Sequence, residues 1–210
     1  KGAYWDTEIK RAQVLGLDGF PVFSRKAATD ISYIANARKL LGKRERIYPQ
    51  FATHNAHSMA AVLHLARELG AGTDEFEFQR LHGMGESLHD ILKREAGTRT
   101  RIYAPVGRHS DLLAYLVRRL LENGANGSFV NMIADRDVPA GKVAGDPFAA
   151  LAEEKVLVRW PTELFAPERQ NSRGVDLTDP LTWNKLNRAR GKFAEHRWSA
   201  APMLVGKPEG

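Results

Sequence analysis

Cysteine is missing from all 210 residues. Disulfides, thiolate metal sites and cysteine nucleophiles are thereby excluded, which fits a reducing cytoplasm. No apolar run approaches the ~18 residues that a membrane-spanning helix needs. The opening Lys-Gly-Ala-Tyr-Trp-Asp has none of the layout of a signal peptide. There is no G-x-G-x-x-G, since Gly83-Met-Gly85 supplies only its first two glycines, and this counts against a dinucleotide-type Rossmann unit. Walker loops, G-x-S-x-G, a Ser-His-Asp order and H-E-x-x-H are also absent. P-loop phosphoryl transfer, serine hydrolysis and zincin chemistry lose support accordingly. Basic residues form no nucleic-acid-type block, because Lys43-Arg44 is separated from Arg46 by Glu45. That stretch reads as a solvated surface.

What is present suffices for a sizeable core, with 43% of the residues hydrophobic. The net charge of +6 favours anionic ligands or anionic lipid headgroups, though weakly. Ile47 to Ala52 reads as a strand, ending in the polar corner Thr53-His54-Asn55. A helix with Met59, Val62, Leu63, Ala66 and Leu69 at helical spacing follows, and Gly70 stops it. Glu75 to Leu81 reads as a second strand, with His82-Gly-Met-Gly85 and a short helix from Ser87 to Arg94 behind it. Thr100 to Ala104 reads as a third, leading through Pro105-Val-Gly107 into a helix over Leu112 to Glu122.

The strands start near 47, 75 and 100, so the unit recurs roughly every 25 to 28 residues. Such alternation indicates parallel βα units with reactive groups where strands end and helices begin. Spacing alone does not choose between a (β/α)₈ barrel and a doubly wound sheet. Lys1 to Asp6 reads as a strand end opening into an amphipathic segment with Ile9, Ala12 and Leu15. Counting it, four units are visible where a closed barrel needs eight, so the chain is expected to be a piece of something longer. Beyond Asn123 the pattern changes. Ser128 to Asn131 is a short apolar stretch, Val138 to Val143 a loop, and Pro147 to Lys155 a helix with Phe148 and Leu151 on one face. From Pro161 the chain reads as an extended linker, with a helix over Leu181 to Trp198 and a tail that is mobile or wrapped over the surface.

Arg118 and Arg119 stand out inside the apolar helix Leu112-Leu-Ala-Tyr-Leu-Val-Arg-Arg-Leu-Leu-Glu122. Two guanidiniums in such a setting need anionic partners. Glu122 is spaced to pair with Arg118, while Arg119 points about 100° round the helix. The spare donors suit a carboxylate held by bidentate contacts; a structural ion-pair cluster is the alternative. Tyr103 and Tyr115 can wall a pocket or be partly buried with their hydroxyls in solvent. Tyr4 and Trp5, beside the small Gly2 and Ala3, suit a flat ligand or ordinary aromatic packing. His54 reads as a donor to a ligand or as a satisfied structural histidine, and Lys26 as a phosphate contact or a surface lysine. His54 with His57, and Glu86 with His89, have i,i+3 spacings, but no strong metal motif accompanies them and no metal is expected.

Lys1 to Gln13, Tyr48 to His57, Phe78 to Gly85, Arg101 to Gly107 and Tyr115 to Asn126 closely resemble the proline dehydrogenase domain of the bifunctional bacterial proline utilization A flavoenzymes. The resemblance runs from residue 1 to about 160 and then into the connection to an aldehyde-dehydrogenase-type pyrroline-5-carboxylate dehydrogenase. It implies an α/β fold, strands five to eight of a (β/α)₈ TIM barrel with their helices, followed by an irregular linker with helical segments. Residues 1–135 would be the C-terminal half of the dehydrogenase barrel, 136–165 a helical and loop connection, and 166–210 the linker and start of the second domain.

The resemblance further implies FAD at the strand ends, faced by Lys1, Gly2, Ala3, Tyr4, Trp5, Gln50 and His54, with Ser24 and Lys26 on its phosphates or ribose. Ser24 stands where many relatives have threonine. Leu81, Tyr103 and Tyr115 would wall the substrate pocket. Arg118 and Arg119 would bind the proline carboxylate, with Glu122 holding Arg118 beside the cofactor; Tyr103, Arg118 and Arg119 are the residues expected to act in catalysis. The implied reaction is an oxidoreductase step from L-proline to pyrroline-5-carboxylate, hydride passing from C5 to the flavin and electrons then to a membrane quinone. NAD would serve only the second enzyme of the parent. The parent is expected to be cytoplasmic, touching the inner membrane face transiently, homo-oligomeric, and DNA-binding only if it carries an N-terminal repressor domain. An upstream lysine and aspartate used by the family are not in this sequence, so the isolated piece is expected to bind FAD poorly and turn over no proline. Two other readings remain: a metal-assisted lyase or hydrolase using His54, His57 and His82, and a basic interaction module in residues 160–210.

Overall fold

The computed structural model describes residues 4–123, 137–153 and 155–201, together with 203 and 206. Its elements in chain order are α1 (Trp5–Leu15), α2 (Lys26–Leu41), β1 (Gln50–Ala52), α3 (Ala56–Glu68), β2 (Glu77–Leu81), α4 (Glu86–Ala96), β3 (Thr100–Tyr103) and α5 (His109–Asn123). After these come α6 (Ala140–Val143), α7 (Pro147–Glu153), a 3₁₀ turn (Pro161–Glu163) and α8 (Pro180–Gly191). The strands form one parallel sheet in the order β1-β2-β3. Parallel neighbours need a crossover, and α3 and α4 supply it.

Side chains alternate across the strands, and the two faces differ in chemistry. Phe51 and Phe78, register partners, point with Phe76 toward the helices. There they meet Met59, Val62, Leu65 and Ala66 of α3 and Ala37 and Leu41 of α2. The rings of Phe76 and Phe78 pack edge to face at 5.8 Å. Burying each such ring contributes about 1.5–3 kcal/mol, so Phe78→Ala would cost about 3–5 kcal/mol. The opposite face carries Gln50, Glu77, Gln79, Leu81, Arg101 and Tyr103 and is mostly polar.

Local signals explain the helix ends. Asn55 caps α3, its side chain accepting from the Ser58 N–H at 3.1 Å. Gly97 closes α4 at φ +66°, a conformation open to glycine at no steric cost. The expected strands and helices of the three βα units are all present, with strands shorter than the sequence suggests: β1 begins at Gln50 rather than Ile47, and β2 at Glu77 rather than Glu75.

Helix α2 has no counterpart among the elements expected from sequence. Its buried positions are Ala27, Ala37 and Leu41, and two of the three are alanines, so the apolar periodicity is faint. Residues 140–143 form one helical turn where a loop was expected, and α8 stops at Gly191 rather than Trp198. In α7, Leu151 is half-buried and its carbonyl accepts from Arg25 Nη1 at 3.1 Å, whereas Phe148 is exposed. The apolar stretch 128–131 lies outside the described residues, as does the strand end expected at residues 1–3.

Two compact units are distinguishable: Lys1–Lys10 with Phe20–Arg159, and Arg11–Gly19 with Trp160–Gly210. In the second, the supposed linker is tied down by named bonds. Asn171 Nδ2 donates to the carbonyls of Gln13 (3.2 Å) and Pro161 (3.0 Å), and the Gly174 N–H donates to the Gly16 carbonyl at 2.9 Å. Asp179 caps α8 by accepting from the N–H groups of Leu181 and Thr182.

Candidate active site

The C-terminal edge of the sheet is shaped by an interruption in its own ladder. Between β1 and β2 the Glu77 N–H donates to the Pro49 carbonyl and the Thr53 N–H to the Gln79 carbonyl. The next rung would run from Leu81 N–H to the Thr53 carbonyl. Two histidines take that rung apart. His54 Nε2 accepts from the Leu81 N–H at 3.1 Å, and His89 Nε2 donates to the Thr53 carbonyl at 3.1 Å. Both freed main-chain groups are therefore satisfied, as buried backbone requires.

These contacts define the tautomers. An amide N–H only donates, so His54 Nε2 is bare and its proton sits on Nδ1; a carbonyl only accepts, so His89 carries its proton on Nε2. His89 Nδ1 then accepts from the Thr100 hydroxyl at 3.4 Å. Burial is the main force holding His54 below the usual imidazole range, and the charges of His89, Arg80 and Arg119 add to it. His89 is lowered chiefly by burial, with the Thr53 bond opposing and Arg80 reinforcing. Both rings are neutral at pH 7, which leaves the local charge to arginines.

Helix α5 brings those arginines in with an inverted amphipathic layout. Leu120 is 71% exposed, and Leu113, Leu116, Val117 and Leu121 are exposed too, whereas Arg118 and Arg119 are half-buried. The guanidinium carbon of Arg118 lies 5.7 Å from the centroid of the Tyr4 ring, and that of Arg119 lies 5.3 Å from the Tyr115 ring. Arg119 is the weakest of the charges that hold His54 low. Register places Leu81 beside Tyr103 on that edge. Trp5 Nε1 donates to the Phe23 carbonyl at 2.8 Å, tying the loop that holds the half-buried Ser24 to the start of α1. Lys26 opens α2 and pairs with Asp30 one turn on.

Gln50 is placed differently from the other strand-end candidates. It begins β1 instead of ending it, and its Nε2 donates to Glu77 Oε1 at 3.0 Å. Gln79 Nε2 donates to the same oxygen at 3.1 Å, and Arg101 adds a two-pronged grip. Together these donors, Arg101 foremost, keep the Glu77 carboxyl below its ordinary range against the opposing effect of burial. Sequence alone marks neither Glu77 nor Arg101 as a site residue, and it marks His89 only through its i,i+3 spacing with Glu86. Alternation along Glu77-Phe-Gln-Arg-Leu81 is the one signal that marks the polar sheet face, and nothing local announces a bond from His89 to Thr53.

Lys1, Gly2 and Ala3 and the side chain of Glu122 lie outside the described residues. His54, His57 and His82, the set a metal-assisted reaction would need, are not assembled: among the described residues no three His, Cys, Asp or Glu side chains group as a metal site.

Parallel βα units whose strand ends carry His54, Leu81 and Tyr103 define an α/β protein. The family model described as proline dehydrogenase matches residues 1–132, and the chain belongs to that family. It is 48% identical to the bifunctional protein PutA of Klebsiella aerogenes over a 219-residue alignment, covering 97% of this chain and 17% of the relative. Proline dehydrogenase 2 of Bacillus subtilis (strain 168) is 36% identical over 129 residues, or 61% of this chain and 37% of the relative. The crystal structure of a mutant of proline utilization A (PutA) from Bradyrhizobium japonicum matches with a TM-score of 0.83 at 54% identity, covering 91% of this chain and 20% of that one. The chain thus spans about a sixth of the length of the bifunctional relatives it matches.

Proposed function

We propose that this chain supplies the substrate-clamping part of an FAD-dependent proline dehydrogenase, which oxidises L-proline to 1-pyrroline-5-carboxylate and passes electrons to a quinone. In this reading the sheet belongs to a (β/α)₈ barrel. Residues 1–135 are its C-terminal half, 136–165 a connection, and 166–210 lead into an aldehyde-dehydrogenase-type domain. The observation that carries it is the inward turn of Arg118 and Arg119 while the leucines of their helix face outward. A soluble helix ordinarily does the reverse, and the inversion makes sense if the arginines serve a ligand.

The residues present fit a flavin nucleotide by donor chemistry. The Ser24 hydroxyl and the Lys26 ammonium, at the start of α2, suit phosphates. Tyr4 and Trp5 offer flat faces, and His54 keeps its Nδ1–H to donate. FAD, when bound, supplies the two-electron acceptor for the oxidation. The protein supplies alignment. Arg118 and Arg119 grip the carboxylate of the imino acid bidentately, which orients the far side of its ring. Leu81, Tyr103 and Tyr115 wall that ring and exclude water. Electrons leave to a quinone at the inner membrane face by peripheral contact; among the described residues no helix is long and apolar enough to cross a membrane.

A proline:quinone assay with flavin absorbance tests this reading on the longer protein that carries this chain. Proline-dependent quinone reduction with bound FAD is expected there. The 210-residue chain alone is expected to hold FAD weakly and show no turnover. Loss of flavin binding and of proline oxidation in the longer protein would overturn the reading.

A further inference from the structure

The two ring nitrogens of His54 face different tasks. Nε2 is committed to the Leu81 N–H at 3.1 Å, and that bond replaces the ladder rung that would have gone to Thr53. His89 makes the substitution permanent by occupying the Thr53 carbonyl. On its β1 side Leu81 is therefore held by a side chain of β1's exit rather than by β1 itself, while the β3 ladder holds the other side through the His82 N–H on the Tyr103 carbonyl at 2.9 Å. Its own side chain stands beside Tyr103 on the site face.

We propose that His54 is a positioning residue for the substrate wall: through Nε2 it sets the Leu81 main chain, while its Nδ1–H stays available to the cofactor. The inference rests on the proline dehydrogenase reading and deepens it, because one rigid ring then couples cofactor contact to the shape of the proline pocket. The buried neighbours leave the ring little freedom to flip. His89 packs against it at 6.4 Å between centroids, and a flip would leave the Leu81 N–H unpaired.

Two substitutions separate the two nitrogens. Asparagine places an amide near Nδ1 and falls short of Leu81, whereas the carbonyl of glutamine reaches the Nε2 position. In the holoenzyme containing this chain, His54→Asn should raise the KM for proline about tenfold while keeping most of the bound flavin. His54→Gln should hold KM within about threefold and lose flavin instead. Hydrogen exchange at the Leu81 amide, read by mass spectrometry, should accelerate about tenfold in His54→Asn and stay slow in His54→Gln. Equal KM values in the two variants, or a Leu81 amide that stays protected in His54→Asn, would overturn the proposal. A wild-type holoenzyme that oxidises no proline would overturn the functional reading instead, and the exchange measurement would still decide whether His54 holds Leu81.

Discussion

Arg101 grips Glu77 across the β2–β3 boundary, Nε to Oε1 at 2.5 Å and Nη2 to Oε2 at 2.9 Å. The carboxylate is almost fully enclosed, while the guanidinium is 60% exposed. A buried charge is acceptable here because its partners are two arginine donors and two glutamine amides. The pair joins neighbouring strands just below Leu81 and Tyr103, so it steadies the floor of the candidate site.

Glu77→Gln should lower the stability of the chain by about 1.5–3 kcal/mol, the usual worth of hydrogen bonds to a charged group. The Glu77 carboxyl titrates below 4.5 in the folded chain. Its contribution is therefore complete above the unfolded value near 4.5 and fades as pH falls through the lower folded value. Urea titrations from pH 6 to pH 3 should show that acid loss in the wild type and a shallower slope in the variant. Superimposable curves would remove Glu77 from the account.

Arg119→Met should raise the KM for proline roughly 100-fold in the holoenzyme, since a two-pronged charged contact is lost. Flavin content should change little. Steady-state kinetics beside a flavin spectrum checks this, and unchanged kinetics would remove the carboxylate clamp.

His54 and His89 both have folded values below 6.5. An unfolded histidine takes up its proton first as pH falls, so stability is complete above about pH 6.5 and declines as pH drops through the lowered folded values. Denaturant midpoints between pH 8 and pH 5 should fall over this window. His89→Gln keeps a donor for the Thr53 carbonyl and removes one titrating ring, so its curve should be flatter. An equally steep decline would show that other groups govern the slope.

Gly16 and Gly174 let two segments of the second unit touch through their backbones. A Cβ on Gly16, whose φ is +61°, would run into the Ser172 carbonyl oxygen, and one on Gly174 into that of Leu15. Neither obstacle is a flexible side chain. Gly16→Ala and Gly174→Ala should each cost about 2 kcal/mol or more. Limited proteolysis near residues 160–174 should then quicken; unaltered cleavage would show that the contact is dispensable.

Amino-acid order alone determined the three βα units, because Phe51, Met59, Val62 and Phe78 repeat at strand and helix periods that no other arrangement buries. It also singled out Arg118 and Arg119, whose charge is conspicuous between leucines. Helix α2 is faint in the sequence because alanines fill two of its three buried positions. The direction in which α5 turns its arginines, the commitment of Gln50 to Glu77 and the handover of one ladder rung to His54 and His89 were decided only by tertiary structure. Each joins groups distant along the chain, 27 residues apart for Gln50–Glu77 and for His54–Leu81 and 36 for His89–Thr53. Local periodicity carries no information about hydrogen bonds at such separations, since the geometry that makes them exists only once the strands lie side by side.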